Sequence, residues 1–146
     1  MADVHLAVGV FVMVSNLVAG LWGVGAWIAQ RPSVWFWYLL RVAQGSVIAQ
    51  VILGALLLIS GREAADGLHY MYGVAPLVVN LFAEGMRAGA AQRELPEDVD
   101  FKALGAGEQR TIALRIVRRE MGTMALAALL VVAFAFRAAQ VSGHMF

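Results

Sequence analysis

The feature that most constrains this chain is a run of 27 residues, Val4 to Gln30, that contains no charged side chain. A membrane-spanning helix needs about 20 consecutive, mostly apolar residues, so this run is long enough to cross a bilayer. Three further runs follow. Pro32 to Gly61 is interrupted only by Arg41, Gly67 to Ala83 is followed by Glu84, and Met121 to Phe136 is ended by Arg137. The runs are continuously apolar, whereas barrel strands alternate polar and apolar residues and are shorter. In lipid a helix satisfies every backbone group within one segment. The expected fold is therefore all-α: a single integral domain over residues 1–146. Its four-transmembrane-helix bundle has helices at about 4–29, 33–60, 67–87 and 121–141.

Composition agrees. Charged residues make up 14% of the 146 positions and hydrophobic ones 61%, against about 25% charged in a soluble domain. Too little charge is present to clothe a water-soluble surface. The absence of cysteine excludes disulfide scaffolds, thiolate metal sites and iron–sulfur clusters. A net charge of +1 gives no basis for binding nucleic acid. The first run lacks a basic leader and is too long for a signal-peptide core, so it is expected to be a retained helix.

Lys and Arg set the orientation. Arg31 and Arg41 flank the first loop, and Arg87, Arg93, Lys102, Arg110, Arg115, Arg118 and Arg119 crowd the third. Both segments are expected on the cytoplasmic side of a bacterial cell membrane, with both termini outside. The segment 88–120 divides into an acidic loop (Glu94, Pro96, Glu97, Asp98, Asp100) and an amphipathic helix over Gly107–Glu120. In that helix Ile112, Ala113, Ile116 and Val117 face away from Arg115, Arg118 and Arg119, a pattern suited to lying on anionic headgroups or docking a partner. Trp35, Trp37, Tyr38, Tyr70, Tyr72, Trp22 and Trp27 stand where interfacial anchors are expected.

The chain also repeats itself. Residues 5–19, HLAVGVFVMVSNLVA, align with residues 69–83, HYMYGVAPLVVNLFA, at seven of fifteen positions. The matches include the residues least common in apolar spans: His5 with His69, Gly9 with Gly73, and Asn16 with Asn80. Arg41 before Gly45-Ser46 and Arg118 before Gly122-Thr123 extend the relation weakly to the even-numbered helices. Helices 1 and 3 run in one direction, so the internal two-helix repeat is parallel, about an axis along the membrane normal. At 100° per residue His5, Gly9, Val12, Asn16, Gly20, Gly23 and Trp27 share one stripe. His69, Gly73, Pro76, Asn80, Glu84 and Arg87 share another. Polar and small residues in lipid belong at helix contacts, so both stripes are expected to face the bundle interior.

Two inward histidines at one depth are candidate paired ligands, since neutral imidazole is the commonest metal ligand and bundles build cofactor sites from facing side chains. Two are too few for a closed zinc site and enough for the axial positions of a haem. Gly9 and Gly73, one turn deeper, would clear a flat slot for the macrocycle; the competing reading is that they only let helices approach closely. His144 is a further imidazole outside the repeat. The His5–Gly9 and His69–Gly73 arrangement resembles the four-helix membrane b-type cytochromes, and that resemblance implies one haem b held near the outer face. The wider pattern, with RPSVWFWYLLR and LHYMYG, is similar to small four-helix membrane proteins of high-GC bacteria and implies no activity.

Asn16 and Asn80 lie about 16 Å deeper, eleven residues at 1.5 Å each. They are expected to face each other, either as a hydrogen-bonded pair or as a polar site for a quinone or solute. Glu84 is expected to pair with Arg41 beside Gln44, as a structural ion pair or a proton or quinone site. Gln50, on the opposite side of helix 2 from Arg41, is expected to meet another subunit or protein. No phosphate loop, HExxH motif or serine–histidine pair is present. Three functional readings follow. The first is a haem b protein for electron transfer or redox sensing, with or without a quinone. The second is a small transporter or channel, necessarily a homodimer or larger assembly because four helices give a thin wall. The third is a non-catalytic accessory subunit of a larger membrane complex.

Overall fold

The computed structural model describes residues 2–64, 66–94 and 100–142. His144 and the Pro96–Glu97–Asp98 part of the acidic loop lie outside the described residues. Every element within them is helical: α1 (Ala2–Ile28), α2 (Val34–Ile59), α3 (Leu68–Ala88), the short α4 (Ala90–Glu94), a 3₁₀ turn (Phe101–Ala103) and α5 (Ala106–Val141). Three of these, α1, α2 and α5, are long and apolar enough to cross a membrane.

The helix ends follow from local chemistry. At the end of α1 Gln30 takes a left-handed φ of 54°, Gln30 N–H donates to the Trp27 carbonyl, and Arg31 N–H reaches back to the Ala26 carbonyl. This is the Schellman closure, and Pro32 beyond it cannot rejoin a helix. α2 ends the same way, with Gly61 at φ 78° and Arg62 N–H on the Leu57 carbonyl. α2 begins at Ser33, whose hydroxyl accepts from Phe36 N–H and from Trp22 Nε1 at 2.9 Å. One serine thus caps a helix and ties the α1–α2 turn.

The packing is inside-out relative to a soluble protein. Leu21, Leu81, Phe82 and Ile59 are exposed, while Asn16, Gln44, Ser46 and Asn80 are buried. An apolar surface of this extent is stable against lipid and not against water, so the chain is a membrane protein. Toward the end that carries Arg31, the core gathers Phe36, Leu40, Ala83, Met121, Met124, Ala125 and Ala128. A smaller cluster of Val12, Val47 and Val131 fills the middle.

α1 packs along both α2 and α5, α3 packs along α5, and α2 touches α3 only lightly. α1 and α3 therefore lie diagonally across the bundle. A strict two-fold relation between the α1–α2 and α3–α5 pairs would make the α1–α5 and α2–α3 seams alike. Instead the first is closed and the second is thin. The closure has a sequence cause: at Gly20 an added Cβ would lie 2.6 Å from Leu129 Cδ2, and at Gly122 one would lie 2.8 Å from Trp27 Cε2. Glycines at these levels let α1 and α5 approach.

The segment 107–120, expected as a separate amphipathic helix, is the opening of α5, which runs 36 residues without a break. Nothing between Val117 and Thr123 stops it: there is no proline, and Gly122 is buried against Trp27 rather than used as a cap. At 1.5 Å per residue α5 is about 54 Å long, well beyond a hydrocarbon core of about 30 Å. Its first turns are tied to α4, where Glu94 accepts from Arg119 at 2.9 Å and faces Arg115 at 4.0 Å.

Candidate functional site

The polar residues of the interior form three layers. At the end of the bundle where α1 and α3 begin and α2 and α5 finish, His5 and His69 stand with ring centroids 6.1 Å apart, their planes inclined at 59°. Both are half-buried. His69 Nδ1 lies 3.0 Å from the Ala138 carbonyl oxygen, an acceptor only, so the proton sits on Nδ1 and Nε2 keeps its lone pair. A backbone carbonyl that accepts from one ring nitrogen in this way leaves the other free to bind a metal. His5 Nε2 lies 3.2 Å from Gln50 Nε2, and among the described residues His5 Nδ1 and Gln50 Oε1 are buried without a partner.

Gln50 is a correction to the sequence reading. Its place opposite Arg41 on the helical wheel predicts that it leaves the bundle. The inward stripe of α2 is in fact Ala43, Val47, Gln50 and Gly54: Ala43 and Val47 are fully buried and the other two are half-buried. Arg41 sits off that stripe, its side chain 51% exposed, and reaches sideways. The long arginine side chain made an edge position look like an inward one. The signal that identifies Gln50 is its three- and four-residue spacing from Val47 and Gly54.

Gly9 and Gly73 differ from each other. An added Cβ at Gly9 would lie 3.1 Å from Gln50 Nε2, whereas at Gly73 nothing lies within 4 Å. The space beside Gly9 is therefore taken by an amide rather than left as an open slot. Among the described residues no group of three or more His, Cys, Asp or Glu is assembled, so the donor set is two imidazoles with a glutamine amide beside them. This suits a pair of axial ligands and falls short of a tetrahedral zinc site.

In the middle layer Asn16 Nδ2 donates to its own helix at the Val12 carbonyl, 2.9 Å, and toward the Ala43 carbonyl, 3.5 Å. Ser15 and Ser46 hydroxyls meet at 3.3 Å. Asn80 is buried but forms no hydrogen bond with Asn16, so the expected asparagine pair is replaced by contacts across the α1–α2 seam. Val12, Val47 and Val131 pack together in the middle of the bundle.

At the opposite end Glu84 is a hub. It accepts from Arg41 Nη1, from Gln44 Nε2 at 3.0 Å and from Arg87 Nε at 2.7 Å. Arg41 also donates to Gln44 Oε1 at 2.5 Å, and Arg87 lies 6.0 Å from the Trp37 ring centre. The pairing of Arg41 with Glu84 beside Gln44 is the one expected from sequence, with Arg87 added. Every contact of this cluster bridges or flanks the thin α2–α3 seam, so it ties two helices that barely pack. Toward the end that carries Arg31, fully buried Phe36, Met121 and Met124 occupy the interior.

No protein-family model, curated protein or solved structure matches the chain.

Proposed function

We propose that this protein is a membrane haem b protein, with His5 and His69 as the two axial ligands and one-electron transfer or redox sensing as its activity. The observation that carries the reading is the 6.1 Å separation of two imidazole rings 64 positions apart in sequence. Two imidazoles that share one ion at metal–nitrogen distances of about 2 Å have ring centres roughly 6 Å apart. The Nδ1–carbonyl contact of His69 adds support, since it leaves Nε2 available. When bound, haem supplies a centre that changes charge by one electron. The chain would supply the two ligands and a low-dielectric surround, with the Gln50 amide beside Gly9.

In this reading α3 is the fourth span and the His-x3-Gly-x6-Asn repeat relates the two helix pairs. The basic segment from Arg87 to Glu120 faces the cytoplasm of a bacterial cell, which puts the histidines toward the outer face. The electron partner is a membrane quinone or a redox subunit of a larger complex. The test is an absorption spectrum of protein purified after expression with ample haem precursor. A Soret band with one haem per chain, lost in His5→Ala and in His69→Ala, is expected. Wild-type protein without a Soret band overturns the proposal.

A further inference from the structure

We infer that Gln50 is the positioning residue of His5: its amide fixes the imidazole tautomer so that Nε2, not Nδ1, is the ligating nitrogen. The inference rests on the paired-ligand reading above but is tested without it. An amide NH₂ only donates, so the 3.2 Å contact between Gln50 Nε2 and His5 Nε2 assigns the lone pair to His5 Nε2 and the proton to Nδ1. His5 Nδ1–H is then a buried donor without a partner, and Gln50 Oε1 is a buried acceptor without a partner. Each is costly alone, and they are complementary groups on two side chains already in contact. A turn of the amide that brings Oε1 to Nδ1–H satisfies both atoms at once and uncovers Nε2. His5 would then match His69, whose Nδ1 already has its carbonyl acceptor.

Glycines on both sides are what let these two side chains meet. Gly54, one helical turn from Gln50, sits where a Cβ would come within 3.3 Å of His5 Cε1 and 4.0 Å of Nδ1. Gly9 sits where a Cβ would come within 3.1 Å of the amide nitrogen. A side chain at either position would wedge the amide against the ring. With both glycines present, Gln50 Nε2 reaches His5 Nε2, and a turned amide would hold Nδ1–H and leave Nε2 as the nitrogen that would bind a metal. This gives α2, which contributes no ligand, a defined part in the site.

The experiment compares wild type with Gln50→Met, which keeps side-chain length and removes both amide atoms. Gln50→Leu serves as a second variant should the first not fold. Nitrogen-15 NMR of histidine-labelled, haem-free protein in micelles reads the tautomers, with His69 as the internal control. Wild-type His5 is expected to hold its proton on Nδ1, and the variants to show a mixture while His69 is unmoved. Haem titration of the same proteins is expected to show roughly a 10- to 100-fold loss of affinity in the variants. An unchanged His5 tautomer in a folded variant overturns the inference even where haem binds. Wild-type protein that binds no haem, with the tautomer shift present, overturns the haem assignment and leaves the role of Gln50 standing.

Discussion

Gly23→Ala tests the packing that holds the four helices in register. An added Cβ at this position would lie 2.4 Å from Phe36 Cε2, 2.8 Å from Phe36 Cδ2 and 2.7 Å from Ala125 Cβ, so it strikes α2 and α5 together. Neither neighbour has free space to enter. Phe36 and Ala125 are fully buried, the Phe36 ring stands edge-on to Trp37 at 5.0 Å, and the Ala125 Cβ moves only with its backbone. Overpacking of this kind costs about 1–3 kcal/mol. Gly25→Ala is the internal control, because nothing lies within 4 Å of a Cβ there. Both substitutions replace a helical glycine and gain the same roughly 0.5–1 kcal/mol of backbone entropy. The gap between the two variants therefore isolates the packing term, about 1–3 kcal/mol. Reversible unfolding in mixed micelles, followed by circular dichroism, measures it. Gly23 lies 18 residues, about 27 Å of helix, from His5, so haem titration of the folded variant should match wild type. Equal stability of the two variants would refute the tight three-helix contact at this level.

Two further outcomes follow from the other layers. Glu84→Ala releases Arg41 and Arg87 from their shared carboxylate. In lipid the two guanidinium groups lose their counter-charge, so the loss should exceed the about 1 kcal/mol of a water-exposed pair, and hydrogen exchange should rise in α3 more than in α1; a uniform rise would remove the cluster's role as the tie across the α2–α3 seam. Asn16→Leu removes a buried carbonyl oxygen that has no partner together with two donor contacts, so stability should change by no more than about 1 kcal/mol. A loss above about 3 kcal/mol would mean that this oxygen has a bonding role of its own.

What could be read from sequence, and what could not, divides along one physical line. In lipid an unpaired polar group is expensive, so the few polar residues in apolar runs must point inward. Helical phase then places His5, His69, Asn16, Asn80 and Glu84 inside without reference to any neighbour, and the structure buries or half-buries all five. Phase does not say which side chain meets which. Asn16 was assigned to Asn80 because repeat logic seeks partners at equivalent positions, yet it bonds instead to α1 and α2 carbonyls. The unequal seams were equally hidden, since they depend on how Gly20, Gly23 and Gly122 fit the particular side chains opposite them. Reading α5 as two helices had a different cause. A change from polar to apolar composition near Met121 marks where the chain enters lipid, and a backbone without proline or a capping residue passes that boundary unbroken. Gln50 combines both limits. Its face does not follow from that of Arg41, because a flexible guanidinium can reach a partner from an edge position and an amide one carbon shorter in its stem cannot. For the short polar side chains of a membrane bundle, position on the wheel is therefore the stronger guide to burial, and for the long cationic ones the partner is.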